Sequence, residues 1–257
     1  MIREEKVNKR FKIFDYELDL ITKEEGLSCA ESYIEEKKSA QVVTLNPEMI
    51  MMGEKNSDLK TSLQKADIVL PDGAGLVMAV KSFGADVHRI PGIEFSEELI
   101  SKAAEHGWKV GFWGAKEDVV QKAVENLKNK YPKLTVSYVR SGYYNEEEEP
   151  VIVGDIKTAG TQILFVAMGV PKQEIVIRKY KDILGCLMIG VGGSFDVWSG
   201  RVMRAPKIFR SLGSEWLYRL IKEPNRFSRM FPSLPLFVFR VILNSNKIKK
   251  ENRNVQS

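Results

Sequence analysis

At 257 residues, 44% hydrophobic and 28% charged, the chain suits one large α/β domain with an appendage and excludes global disorder. Cys29 and Cys186 form no CxxC pair and read as free thiols in a reduced cytosol. No run of about 18 apolar residues occurs, and the opening "MIREEKVNKRF" has no apolar signal core, so neither a spanning helix nor a secretory signal is expected. The net charge of +5 is unevenly spread: residues 201–257 carry 13 Lys/Arg against 3 Asp/Glu, the rest 26 against 31. That basic tail points to an anionic partner, nucleic acid or a lipid surface.

In chain order, "FKIFDYELD" (11–19) reads as a short strand or hairpin, and 22–38 as a helix with Thr22 and Glu25 at capping-box spacing. "AQVVTL" (40–45) is a buried strand ending at "NPE", where Pro47 opens a helix. "NSDLKTSLQKA" is helical, "DIVL" (67–70) a strand and "GLVMAVKSFG" helical. A loop, "VHRIPGIEF" (87–95), precedes a helix over 96–107 with Ser96 as N-cap and Gly107 as stop. "WKVGFWG" is a strand, then comes an amphipathic helix closed by Pro132, then the strand "LTVSYV". "NEEEEPVIVGDIKTAG" is a helix, or a loop and helix. "TQILFVAMG" is a strand, "PKQEIVIRKYKD" a helix and "CLMIGVG" a strand. Apolar strands alternating with helices predict a Rossmann-like, mostly parallel sheet with helices on both faces, spanning 1–200, and a basic helical C-terminal appendage over 201–257. "MIMMGE" (49–54) and nearby apolar helix faces are read as surfaces on which subunits can pack into a homo-oligomer.

In such sheets the working site lies at the carboxyl ends of the strands. Thr44 and Asn46 follow one strand; Asp72, Gly73 and Gly75 the next; Gly114 another. Lys172, Gln173 and Glu174 sit in "GVPKQE" (169–174), and Gly192 and Asp196 follow the last strand. Asp72 reads two ways, as a helix N-cap or as a general base beside glycines that admit a substrate, and spacing does not choose between them. Gln173 reads as a capped-helix residue or a ligand for sugar or phosphate. Arg89 reads as a surface ion pair or a fork-shaped donor for pyrophosphate. "GFWGAKE" is a strand-to-helix turn or a phosphate-holding helix start. His88 and His106 lack metal-ligand spacing.

No DxD, HExxH, GxxxxGK[ST] or GxSxG occurs, and "DGAGLVM" lacks the third glycine of a dinucleotide fingerprint. No metal and no cofactor is therefore expected. The tail interleaves Arg219, Arg226 and Arg229 with Trp216, Tyr218, Leu220, Phe227 and Phe231, and "FPSLPLFVFRVIL" follows. Large aliphatics beside basic residues favour an interfacial lipid segment over a nucleic-acid patch, with a packed C-terminal helix as the bland alternative.

Eight blocks in this order resemble the WecG/TagA/CpsF glycosyltransferases: "TLNPEM", "LPDGAGLVMAVK", "RIPGIEF", "GFWGAKEDV", "YPKLTV…GYY", "VAMGVPKQE", "VGGSFDVWSGRVMRAP" and "EWLYRLIKEPNRFSRM". The resemblance covers roughly residues 10–240. It implies an inverting, metal-independent transfer of a sugar, N-acetylmannosamine in the best-known members, from a UDP-sugar to polyprenyl-diphosphate-linked N-acetylglucosamine. Teichoic acid, capsule or exopolysaccharide synthesis is the implied setting, at the inner face of the cell membrane, and other members move other hexoses. By motif, the resemblance makes Asp72 the catalytic base and Thr44 its neighbour, with Asn46 in the same block. Arg89 would stabilise the departing diphosphate and Gln173 would position a substrate. Arg219, Arg226 and Arg229 would contact a lipid or donor diphosphate. A nucleotide-dependent oxidoreductase and a non-enzymatic membrane adaptor are the competing classes.

Overall fold

The computed structural model describes residues 9–204 and 227–253, the latter stretch with side chains from 233 onward. β1 (Arg10–Ile13) and β2 (Tyr16–Asp19) form an antiparallel hairpin of their own. After α1 (Lys23–Glu35), whose Thr22–Glu25 capping box forms as its spacing predicts, the chain builds a six-stranded sheet. Its strands are β3 (Ala40–Leu45), β4 (Ile68–Pro71), β5 (Lys109–Gly114), β6 (Thr135–Arg140), β7 (Ile163–Ala167) and β8 (Leu187–Gly190). All pairs are parallel, in the order β4-β3-β8-β7-β5-β6. The hydrophobic 11–19 segment thus stands outside the main sheet, because the turn at Phe14 folds it on itself.

The intervening helices are α2 (Pro47–Gly53), α3 (Ser57–Gln64), α4 (Ala74–Ser82), α5 (Gly92–His106), α6 (Glu117–Lys130), α7 (Glu149–Thr158), α8 (Lys172–Leu184) and the short α9 (Ser194–Trp198). Successive strand residues face opposite sides. Val42, Leu70, Phe112, Phe165 and Ile189 join one core with α1, α5, α6 and α9. Val43, Leu45 and Val69 join another with α2, α3, α4 and the hairpin, and Leu164, Val166 and Met188 pack on α7 and α8. Burial on both faces is why these strands read as unbroken apolar runs rather than alternating ones.

The helix expected from Ser96 starts four residues earlier, at Gly92. Ser96 is fully buried, so it caps nothing, and Pro91 stands at the N-cap instead. The segment "GIEF" is therefore helix, not loop.

The C-terminal helices α10 (Phe227–Leu243) and α11 (Ser245–Glu251) lie against the body. Leu234, Phe237 and Val241 recur at helical spacing. Phe237 is fully buried and meets the Phe14 ring edge-on at 5.9 Å, and Val241 and Ile248 join the same core. Asn252 pairs with the backbone of Lys12 as a strand neighbour would, accepting from its N–H at 2.7 Å and donating to its carbonyl at 2.7 Å. Met49, Ile50 and Met51 of α2 are buried in this core, with α10 packed on α2, so the apolar face read as a subunit contact is covered by the chain itself. Arg240 closes the arrangement: it donates to Glu54 at 2.7 Å and its guanidinium lies over Phe14 at 5.1 Å.

Truncating Phe237 to Ala is expected to cost about 3–5 kcal/mol in urea denaturation, the range for deleting a buried aromatic. Burial pushes the Glu54 carboxyl up, but hydrogen bonds from Arg240, Lys60 and Tyr16 outweigh it and hold it below its ordinary value of 4.5. A carboxyl lowered by folding contributes stability above that value and loses it as pH falls through the folded one. Glu54→Gln should therefore flatten the loss of stability below pH 4.5, read by thermal denaturation across an acid series.

Candidate active site

The sheet order places the end of β3 beside β4 on one side and β8 on the other. Thr44 pairs with Leu70 and Leu45 with Pro71, so Asn46 and Asp72 emerge together, and Gly190 ends β8 next to them. A cleft of about 300 Å³ opens over these three strand ends, as expected where connections leave a sheet in opposite directions. Thr44, Asn46, Asp72, Gly73, Gly75 and Arg89 all line it.

Asp72 is the best-anchored polar group in the cleft. Its Oδ1 accepts from the Gly73 N–H at 2.7 Å and the Arg89 Nε–H at 3.1 Å, and its Oδ2 accepts from the Gly92 N–H at 3.2 Å. Its own N–H is tied to the Leu45 carbonyl. Helix α4 has Gly73 at its N-cap with no side-chain cap bond, so the helix-cap alternative for Asp72 fails there. The carboxylate sits instead at the first turn of α5, where the helix dipole favours negative charge. Side chains of Asp72 and Arg89 are each 22% exposed, held in place yet open to a ligand. Asn46 spends its Oδ1 on the Met49 N–H, capping α2.

A second hollow, of about 600 Å³, opens over the ends of β5, β6 and β7. Tyr143, Tyr144, Asn145, Met168 and Lys172 line it, and the Lys172 ammonium stands 4.2 Å from the Tyr144 ring centroid. Tyr144 is braced from behind: its hydroxyl donates to Glu149, which also accepts from Tyr180 and Lys179. Burial pushes Glu149 up, but those three bonds bring it below its ordinary value.

A constellation of this kind, with an anchored carboxylate beside an arginine at strand ends, is common to several enzyme classes, and comparison with known proteins separates them. The profile of the glycosyl transferase WecG/TagA/CpsF family matches residues 11–252. The chain belongs to that family. It is 36% identical over 213 residues to a Bacillus spizizenii protein named N-acetylglucosaminyldiphosphoundecaprenol N-acetyl-beta-D-mannosaminyltransferase, covering 82% of each chain. A Bacillus subtilis protein of the same name is 35% identical over 220 residues, covering 85% of this chain and 84% of its own. This WecG/TagA/CpsF protein is thus a glycosyltransferase, and the oxidoreductase and adaptor readings fall away.

The structure redistributes the remaining site residues of this glycosyltransferase. Gln173 lines neither hollow: it is 3% exposed, its Oε1 accepts from the Gly169 and Gly192 N–H groups and its Nε2 donates to Glu174. Glu174 is 1% exposed and likewise turned inward. Gly192 serves Gln173 rather than the cleft, and Asp196, on α9, lines neither hollow. Lys172 belongs to the second hollow; Gly114, at the end of β5, pairs with Ala167 of β7 and lines neither hollow. Arg219 and Arg226 lie outside the described residues, as does the side chain of Arg229 on α10.

The sequence reading missed Ser233 and Leu234, which α10 brings to the cleft wall, and the Gly92 amide. The inward stripe at 234, 237 and 241 was readable in principle, but Pro232 and Pro235 break the helical signal.

A Cβ at Gly92 would stand 2.9 Å from Thr44 Cγ2 and 3.1 Å from its Oγ1. Gly92→Ala should push Thr44 and the Asp72 anchor apart and lower turnover on the order of tenfold to a hundredfold, with a normal circular dichroism spectrum.

Proposed function

We propose that this glycosyltransferase moves an N-acetylmannosaminyl group from a UDP-sugar to polyprenyl-diphosphate-linked N-acetylglucosamine, with inversion and with no metal in the charge-stabilising role. The observation that carries the reading is Asp72 with Arg89 at the mouth of the cleft. Asp72 accepts the proton of the acceptor hydroxyl as its oxygen attacks the anomeric carbon. The bond from that carbon to the diphosphate breaks, and UDP leaves with the electron pair. Arg89 meets the charge that builds on the departing diphosphate, as fixed positive groups do in such transfers. An incoming diphosphate competes for the guanidinium and frees the Asp72 Oδ1 from the Arg89 Nε–H, so that it can take the acceptor proton. The nucleoside end lies in the second hollow, against the Tyr144 ring and Lys172.

The acceptor lipid sets the location. Leu236, Phe239 and Leu243 point away from the core on α10, joined by Val238 and Ile242, and these are 45–66% exposed. Lys247, Lys249 and Lys250 follow on α11. Among the described residues no helix is long and apolar enough to cross a membrane. An exposed apolar face next to lysines, on the helix that also walls the cleft, supports peripheral docking on anionic lipid at the cytoplasmic surface, delivering a lipid-borne acceptor to Asp72.

The test is UDP release from UDP-N-acetylmannosamine with a short-chain lipid-diphosphate N-acetylglucosamine. Release is expected only when the acceptor is present, and UDP rather than NAD(P) should raise the melting temperature. Release from another UDP-hexose alone would replace the donor sugar in this reading. Exchanging Phe239 and Leu243 for Ser should abolish sedimentation with anionic vesicles and raise KM for long-chain acceptors while leaving the short-chain KM unchanged.

A further inference from the structure

Behind the cleft wall lies a buried polar chain that touches no cleft surface. Gln41, on β3 and fully buried, donates from Nε2 to Glu174 Oε2 at 2.9 Å. Glu174 Oε1 accepts from Gln173 Nε2 at 3.0 Å. Gln173 Oε1 then accepts from Gly169 N–H and Gly192 N–H, each at 3.1 Å. The first glycine is in the loop after β7, beside Met168 and Lys172 of the second hollow. The second is in the loop after β8, beside Val191 and Ser194 of the Asp72 cleft. One amide oxygen therefore ties the loop after β7, whose neighbours line one hollow, to the loop after β8, whose neighbours line the other. Gly190 makes room for it, since a Cβ there would collide with Gln173 Nε2 and Glu174 Oε1.

The chain has a defined polarity. The orientation of the Gln173 amide is set by the two backbone donors, so its NH₂ must face Glu174 Oε1, which can only accept. A proton on Glu174 therefore sits on Oε2, facing Gln41. Gln41 Oε1 has no hydrogen-bond partner among the described residues, and beyond Glu174 Oε2 its Nε2 makes one long bond, to the Glu174 carbonyl at 3.5 Å, so the amide can turn to accept the acid's O–H. Among the described residues no cation or carboxylate contributes to the Glu174 shift, which comes from burial and the two amides. Asp67, paired with Lys181, accepts from the Gln41 backbone N–H and not from its amide. An isolated ionised carboxylate in such surroundings is costly, and burial pushes the Glu174 carboxyl up, with the bonds from Gln173 and Gln41 opposing only in part.

We propose that Gln41 and Glu174 are positioning residues which, through Gln173, fix the loop after β7 against the loop after β8 and so align the two hollows for a nucleotide-sugar spanning them. The substrate part rests on the function proposed above; the mechanical part does not. Glu174→Gln keeps an acceptor for the Gln173 Nε2, whereas Glu174→Leu removes it and leaves the Gln173 side chain, and with it the two glycine amides, less firmly held.

The experiment is amide hydrogen exchange on the full chain, read on peptides containing Gly169 and Gly192. Glu174→Leu should speed exchange at both glycines by at least about tenfold, with the sheet strands unchanged, and Glu174→Gln should restore the wild-type rates. In the transfer assay the Leu variant should raise the UDP-sugar KM more than it lowers kcat, and Gln should rescue it. Wild-type exchange at both glycines in the Leu variant overturns the proposal. A wild-type chain that binds no UDP removes the substrate reading and leaves the exchange result to stand. If the Leu variant does not fold, the comparison of wild type with Glu174→Gln decides. A carboxyl raised by folding contributes stability at low pH that is lost as pH rises, so the variant should gain on wild type as pH climbs above 4.5. Parallel stability curves over that range overturn the neutral acid.

Discussion

The Asp72 carboxylate is the constraint on which the site depends. Three donors from three places meet on it: the Gly73 amide that opens α4, the Arg89 side chain from the following loop, and the Gly92 amide that opens α5. A backbone bond from the Asp72 N–H to Leu45 fixes the same residue to the end of β3. Removing the carboxylate would take this acceptor from the Gly73 and Gly92 amides and from the Arg89 Nε–H. Under the function proposed above, base chemistry and local architecture would be combined in one side chain, while the glycines beside it answer to other neighbours: a Cβ at Gly73 would crowd Asn46 and Pro47, and one at Gly92 would crowd Thr44.

Much of this was legible from the residues. The alternation of apolar runs with helices specified a parallel sheet, since only a sheet covered on both faces tolerates strands such as "ILFVA" without polar alternation. The strand-end rule then brought Thr44, Asn46, Asp72 and Gly75 to one cleft, and the structure puts them there. What stayed hidden depends on contacts between segments far apart in the chain. Ser96 has the chemistry of an N-cap, but tertiary packing buries it and starts α5 at Gly92. Gln173 and Glu174 stand at a strand end yet point inward, because Gly190 leaves space for them under β8. Spacing alone does not carry that information.

The C-terminal segment shows the same limit. Its composition marked it as interfacial, and α10 does present an apolar outer face. Its inner face, however, is core: Phe237 and Val241 pack with the hairpin and α2, and Leu234 reaches the cleft. A basic, amphipathic helix can be read as lipid-seeking or as packed, and here one face is packed while the other is apolar and exposed. The Arg240–Glu54 pair links them, joining the helix that carries the exposed face to α2, the helix that begins at Asn46 in the site.

The central claim is that Asp72 acts on the acceptor and not on donor binding. Its most direct measurement compares wild type and Asp72→Asn for two quantities, UDP affinity by calorimetry and acceptor-dependent UDP release. The account predicts an affinity within a few-fold of wild type and release lowered on the order of a thousandfold. Release close to wild type in a folded Asp72→Asn chain would contradict it.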